Sequence, residues 1–189
     1  MPTVDQLLGC PGLPVQIVER TQSTPSKALA YLQSLSGWLT VRTVACEDGP
    51  CPRLTITGGN VQDVAFIGVP EGRLLEALIV LLHELGTGRP AYETPGTPGM
   101  LRELTRDHAL TVVASPVCPF CPAVLGAALR FAQATPRLRV TVVRAGTVEI
   151  PKVQSVPTVL LDGGIVATGA IGEYELAERV VQAANGTQL

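Results

Sequence analysis

Between residues 15 and 20 (VQIVER) apolar and polar side chains alternate with the period of a half-buried strand, whereas over residues 25–37 the apolar positions Ala28, Leu29, Leu32 and Leu35 recur at helical spacing. Two more strand-like runs follow at 39–45 (LTVRTVA) and 53–57 (RLTIT), then a third at 64–69 (VAFIGV). A helical run over 73–85 stops at Gly86. Residues 86–100 (GTGRPAYETPGTPGM) are dense in glycine and proline and read as a turn or linker, with a short helix expected over 101–108. The order then repeats. Strand 111–115, helix 118–133, strands 139–144 and 157–161, a turn at Asp162, Gly163 and Gly164, strand 165–169 and helix 173–184 reproduce the β-α-β-β-β-α sequence of the first half. The pattern therefore predicts an α/β chain of two tandem folds, residues 1–90 and 91–189, each a central mixed β-sheet flanked by helices.

Composition narrows the function classes. With 189 residues, 46% of them hydrophobic, the chain can bury one good core or two small ones. Its 14 basic and 16 acidic residues are scattered singly and leave a formal charge of -2, so neither a nucleic acid nor a polybasic membrane contact is expected. The N-terminus (MPTVDQLLGCPG) has no basic segment followed by an apolar one, and the longest apolar run, LIVLL at 78–82, is far short of the roughly 20 residues that span a bilayer. A cytoplasmic location follows as an expectation, and in a reducing compartment a close cysteine pair is more often catalytic or metal-binding than a staple.

Two of the five cysteines, Cys118 and Cys121, stand in the segment CPFCP, where an apolar strand gives way to a helical pattern. A cysteine in the first turn of a helix faces unpaired N–H groups and the positive end of the dipole, which favour the thiolate. This makes Cys118 the candidate nucleophile and Cys121, three residues on, the resolving thiol that closes a disulfide and expels a bound partner. Pro119 and Pro122 are tolerated where the N–H groups have no internal partner. Beyond Cys121, Pro157 falls immediately before an apolar strand in SVPTVLLDGG, and a cis bond there would present the Val156 backbone as an edge for an extended guest peptide. In the first half, residues 23–26 (STPS) take the place of CPFC, so that site has lost its sulfur.

With these residues in view the chain resembles the thioredoxin and glutaredoxin superfamily. More narrowly, a tandem of two such folds with the cysteine pair only in the second is similar to the N-terminal domain of the flavoprotein subunit of alkyl hydroperoxide reductase, and more distantly to protein disulfide oxidoreductases. The likeness extends to FIGVPEGRLLEALIVLLHELGTGRP (66–90) and AGTVEIPKVQSVPTVLLDGG (145–164). It implies a protein dithiol–disulfide oxidoreductase whose only redox group is the Cys118–Cys121 pair, with no other cofactor. Electrons would come from a separate flavin-dependent donor of the thioredoxin-reductase type and pass to a peroxiredoxin or another protein disulfide, the substrate docking on Pro119, Phe120, Val156 and Pro157. The chain departs from the family where Pro151 interrupts a segment too short for a full helix, and where Leu74 stands about where some relatives carry an acid. It also shows no GxGxxG turn for a nucleotide, so reduction directly by NADH or NADPH is not expected.

Other readings stay open. Two cysteines are half of a zinc or iron–sulfur site, but such sites take four ligands and the nearest candidates, Cys46 and Cys51, belong to the other half, so no metal is expected. A glutathione-coupled or disulfide-forming role, or a peptide-binding adaptor with incidental thiols, are the competing functions. In ACEDGPCPRL (45–54) the turn residues bring Cys46 and Cys51 toward each other, and Pro52 takes the place that Pro157 takes in the second half. These two are either a second disulfide or unrelated loop thiols. Cys10 reads as inert, His83 and His108 as structural, and Trp38 as a core or boundary aromatic.

Overall fold

The computed structural model describes residues 3–59 and 61–186. The first half runs α1 (Val4–Leu8), β1 (Val15–Thr21), α2 (Lys27–Leu35), β2 (Leu39–Ala45), β3 (Arg53–Gly58), β4 (Val61–Ile67) and α3 (Arg73–Thr87). The second runs α4 (Thr97–Leu101), β5 (His108–Ala114), α5 (Cys121–Ala134), β6 (Leu138–Arg144), β7 (Thr158–Leu161), β8 (Gly164–Thr168) and α6 (Glu173–Ala184).

The strands form one continuous eight-stranded sheet in the order β2-β1-β3-β4-β6-β5-β7-β8. Each half contributes four strands in the same relative order, and the halves are welded by parallel pairing of β4 with β6, from Val64↔Val140 to Ile67↔Val143. This join is legible in the burial, because Ala65 and Phe66 on β4 are as buried as any central-strand residue. Strands β1, β2, β4, β5 and β6 are mutually parallel, while β3 and β7 run the other way. The C-terminal ends of the former and the N-terminal ends of the latter therefore share one lip of the sheet.

The helices cover one face as a connected layer in which α2 touches α1, α1 touches α3, α3 touches α5, and α5 touches α6. Strand side chains facing that layer, such as Ile17, Ile56, Phe66, Leu110, Val112 and Val142, are fully or almost fully buried. Their neighbours Gln16, Arg20, Thr55 and Thr141 point to the other face and remain partly exposed, the period of two expected of a sheet covered on one side. Phe131 on α5 is wholly buried, and burial of a side chain of that size is worth about 3 kcal/mol.

Several boundaries differ from the sequence reading. The short helix expected over 101–108 is instead α4 at Thr97–Leu101, and His108 opens β5 with its ring buried and its Nδ1 2.7 Å from Asp162 Oδ2. A strand start anchored by the buried imidazole outweighs the weak helical pattern there. Helix α1 escaped notice because five residues show no periodicity, although its capping box is readable: Thr3 Oγ1 accepts from Gln6 N and Gln6 Oε1 accepts from Thr3 N. Trp38 closes the bottom of the first half, its Nε1 donating to the Cys10 carbonyl at 2.8 Å, and its ring packs so tightly on Gly86 that a Cβ there would lie 2.8 Å from it.

Candidate functional site

The second half's strand-to-helix turn leaves β5 at Ala114 and enters α5 at Cys121, with Pro122 in the first helical turn. Cys118 therefore precedes the helix instead of lying in its first turn, which corrects the expected start at residue 118. The turn is closed by the Cys118 N–H donating to the Ser115 carbonyl at 3.2 Å. The prolines, unable to extend an N–H ladder, hold residues 119–120 as a turn and delay the helix to the second cysteine.

The two thiols occupy different environments. Cys118 is 8% exposed and its Sγ lies 3.7 Å from the Val156 carbonyl, while Cys121 is 0% exposed beneath it at the head of α5. Burial, reinforced by hydrogen bonding with the Cys118 side chain, pushes the Cys121 thiol up to about 12, against a smaller opposing pull from the Ser115 backbone. Around Cys118 the surface is apolar: Val117 is 87% exposed and Phe120 59%. Pro119 is exposed, Val156 partly so, and Pro157 buried. The structure thus brings Cys118, Cys121, Pro119, Phe120, Val156 and Pro157 to one place on the lip. The Val156–Pro157 bond is cis, and the Pro157 carbonyl accepts from Gly169 N at 2.8 Å. Between β6 and β7 the chain makes turns instead of a helix, and with Val113 it lines a 590 Å³ cleft that ends at Val156.

The first half repeats this frame with different chemistry. Counted from the helix starts, Lys27 corresponds to Cys121 and Thr24 to Cys118, one residue off the correspondence read from the strands. Ser26 caps α2, its Oγ accepting from Leu29 N, and its N–H donates to both oxygens of the buried Glu19 carboxylate at 3.1 and 3.2 Å. The Cys51–Pro52 bond is cis, the Pro52 carbonyl accepts from Gly68 N at 2.8 Å, and Cys46 and Cys51 are joined in a disulfide with Cα atoms 6.5 Å apart.

Residues 109–182 match the thioredoxin domain family. Among solved structures the chain is similar to a protein disulfide oxidoreductase from Aeropyrum pernix K1, with 21% identity, 98% of this chain and 92% of that chain covered, and a TM-score of 0.81. It is also similar to the N-terminal domain of the alkylhydroperoxide reductase AhpF from Enterococcus faecalis, with 19% identity, coverage of 94% and 95%, and a TM-score of 0.77. No curated protein matches it in sequence. The architecture is that of two tandem thioredoxin-like folds, and the resemblance to both groups that the motifs implied is found again in the fold.

Three contributors to the site had no signal in the sequence pattern. Val117 is the most exposed large apolar side chain of the rim, Ser115 closes the cysteine turn, and the entry to α3 buttresses that turn from the other half. There Arg73 N donates to the Pro116 carbonyl at 3.0 Å, and Gly72, at φ 50°, stands so close that a Cβ would lie 2.7 Å from the same oxygen. Gly72→Ala should therefore destabilise the protein by about 1–3 kcal/mol and alter the alkylation rate of Cys118. Urea unfolding and timed labelling check this, and a variant identical to the parent in both would show that the buttress carries no strain. Among the described residues no helix is long and apolar enough to cross a membrane, and no three His, Cys, Asp or Glu side chains gather as a metal-ligand set.

Proposed function

We propose that the chain is a cytoplasmic protein dithiol–disulfide oxidoreductase that takes electrons from a separate flavoprotein reductase and passes them to a peroxiredoxin or another protein disulfide, with no bound cofactor. The observation that carries this reading is the asymmetry of the pair. Cys118 reaches the apolar rim, whereas Cys121 lies sealed below it with its thiol held protonated.

The thiolate of Cys118 attacks one sulfur of the guest disulfide, forming a mixed disulfide and releasing the guest's other sulfur as a thiolate. Cys121 then gives up its proton and attacks Cys118 Sγ, closing the internal disulfide and freeing the reduced guest. Two electrons pass to the guest. A guest strand lying along Val156 would bring its sulfur to the carbonyl that Cys118 Sγ already faces, and the exposed Val117 and Phe120 would bury against it. A reductase restores the dithiol by the reverse exchange, so donor and acceptor use the same rim in turn. The likeness to the N-terminal domain of an alkylhydroperoxide reductase supports a flavin-linked donor and a peroxide-reducing acceptor.

Stopped-flow reduction of the Cys118–Cys121 disulfide, read by thiol labelling, tests the donor. Rapid reduction by a flavin-dependent thioredoxin-reductase-type protein with NADPH, and none by NADH or NADPH alone, is expected. Reduction by glutathione at a matching rate would move the assignment to a glutathione-coupled enzyme, and failure with every donor would favour a peptide-binding adaptor.

A further inference from the structure

In the first half the sulfur has changed sides of the site. Pro52 and Pro157 are equivalent residues. Each leads a strand antiparallel to the first strand of its half, and each carbonyl accepts from a glycine N–H at 2.8 Å. In the second half the residue before the proline, Val156, faces the nucleophilic sulfur across 3.7 Å, so its place is where a sulfur under attack would lie. In the first half that residue is Cys51, already bonded to Cys46. Cys46 is tied to the matching strand-to-helix turn, its N–H donating to the Thr21 carbonyl and its own carbonyl accepting from Gln22 Nε2, both at 3.3 Å. The disulfide therefore bridges the end of β2 and the start of β3 over the end of β1.

Its surroundings leave it open to exchange. Cys51 is partly exposed, Cys46 is 6% exposed, and Glu47, Asp48 and Gly49 of the enclosed loop are at the surface with nothing packed over them. As a staple it joins strands that β1 already pairs on both sides. In the reducing compartment proposed above, a surface disulfide of this kind is one that turns over.

We propose that Cys46–Cys51 is a second exchange centre, reduced by the Cys118–Cys121 dithiol of another copy of the chain. The thiolate of Cys118 attacks Cys51 Sγ, forming a Cys118–Cys51 mixed disulfide and releasing Cys46 as a thiolate that takes up a proton. Cys121 then attacks Cys118, releasing Cys51 as the second thiol. The donor copy is oxidised by two electrons and the acceptor copy reduced by two. Transfer within one molecule is excluded by the sheet. Both centres sit on the same lip, but the β1/β3 and β5/β7 positions are four strand spacings apart, about 19 Å, whereas exchange needs sulfurs in bonding contact. The inference rests on Cys118–Cys121 being a working dithiol.

The test starts from the unsubstituted chain. The chain with both pairs oxidised receives one equivalent of dithiothreitol, and the four thiols are followed by timed alkylation and mass spectrometry. Cys118 and Cys121 should be reduced first, and Cys46 and Cys51 should then appear at a rate proportional to protein concentration. That rate should exceed, by about tenfold or more, their reduction by dithiothreitol in a Cys118→Ser/Cys121→Ser variant. A Cys121→Ser donor should trap the Cys118–Cys51 bond. A rate independent of protein concentration, or Cys46 and Cys51 remaining oxidised, overturns the inference. Reduction of a small chromogenic disulfide by the Cys118–Cys121 dithiol is measured alongside. If it proceeds while Cys46–Cys51 stays oxidised, only the second centre falls; if neither is reduced, the reading of Cys118–Cys121 falls with it.

Discussion

Cys118→Ser is expected to abolish disulfide exchange and to leave a thiol, Cys121, that reacts several-fold more slowly with an alkylating agent at pH 7 than an unperturbed cysteine. In the parent chain burial, with the Cys118 side chain adding to it, raises the Cys121 thiol from its ordinary 9.0 to about 12, which leaves ~10³-fold less thiolate at neutral pH; the substitution removes the Cys118 part and keeps the burial. A more basic thiolate is a better nucleophile, and with a Brønsted slope near 0.45 that recovers ~20-fold, so the balance is a loss. The complete absence of exposed surface on Cys121 adds to it. Conversely, Cys121→Ser should keep a fast Cys118 and accumulate mixed disulfides with target proteins, because nothing remains to expel them. The raised thiol also makes a pH statement. Its neutral form contributes stability that is fully present below about pH 9, the unfolded value, and is lost as pH rises from there through about 12. The dithiol form should therefore lose melting temperature in alkali more steeply than the Cys118–Cys121 disulfide form, which has no thiol to titrate. Equal labelling of the two cysteines at neutral pH, or parallel pH–stability curves, would sink the assignment of roles.

Arg130→Met should destabilise the fold by about 3–5 kcal/mol, a large fraction of the stability of a domain this size. Arg130 lies on α5, 8% exposed, with Nε 2.8 Å from Glu173 Oε2 on α6 and NH1 3.6 Å from Glu84 Oε1 on α3. The other contacts of the cluster complete its hydrogen bonding. Gln133 Nε2 donates to Glu84 Oε2 at 2.8 Å, and the backbone N–H groups of Ala91 and Glu93 reach Glu84 and Glu173 at 3.2 and 3.0 Å. Glu84 belongs to the first half and Glu173 to the second, so the guanidinium ties the halves together and pins the connecting segment. Removing it leaves two carboxylates in low dielectric with no cation between them, and that uncompensated burial is the source of the cost. Urea unfolding measures it. A loss below about 1 kcal/mol would mean that water or Gln133 satisfies the carboxylates instead, and Glu84→Gln in the Arg130→Met background should recover part of the stability, since it removes one of the stranded charges.

The site was more legible than the assembly around it. The alternation in VQIVER and the spacing of Ala28, Leu29, Leu32 and Leu35 located β1 and α2 to within two residues, since periodicity is a local property of the chain. The cysteine turn and the proline before β7 were equally readable, because turn chemistry is confined to a few neighbouring residues. The helix start at Cys121 was missed because proline is compatible both with a helix's first turn and with the turn before it, and only closure of the Ser115–Cys118 hydrogen bond decides between them. Arg130, Glu84 and Glu173 carry no local sign of their cluster, since Arg130 pairs with one carboxylate 46 positions before it and another 43 positions after it.

By itself, then, the sequence determined the order of elements, their repetition, and the placing of one cysteine pair ahead of a helix and another beside a proline, all of which depend on interactions between near neighbours. Only the tertiary structure decided that β4 pairs with β6 to make one sheet, that both sulfur pairs consequently share a lip, and that Cys121 is sealed while Cys118 reaches the rim. Those outcomes depend on which distant apolar surfaces exclude water together, a sum over many weak contacts that no short window of the chain contains.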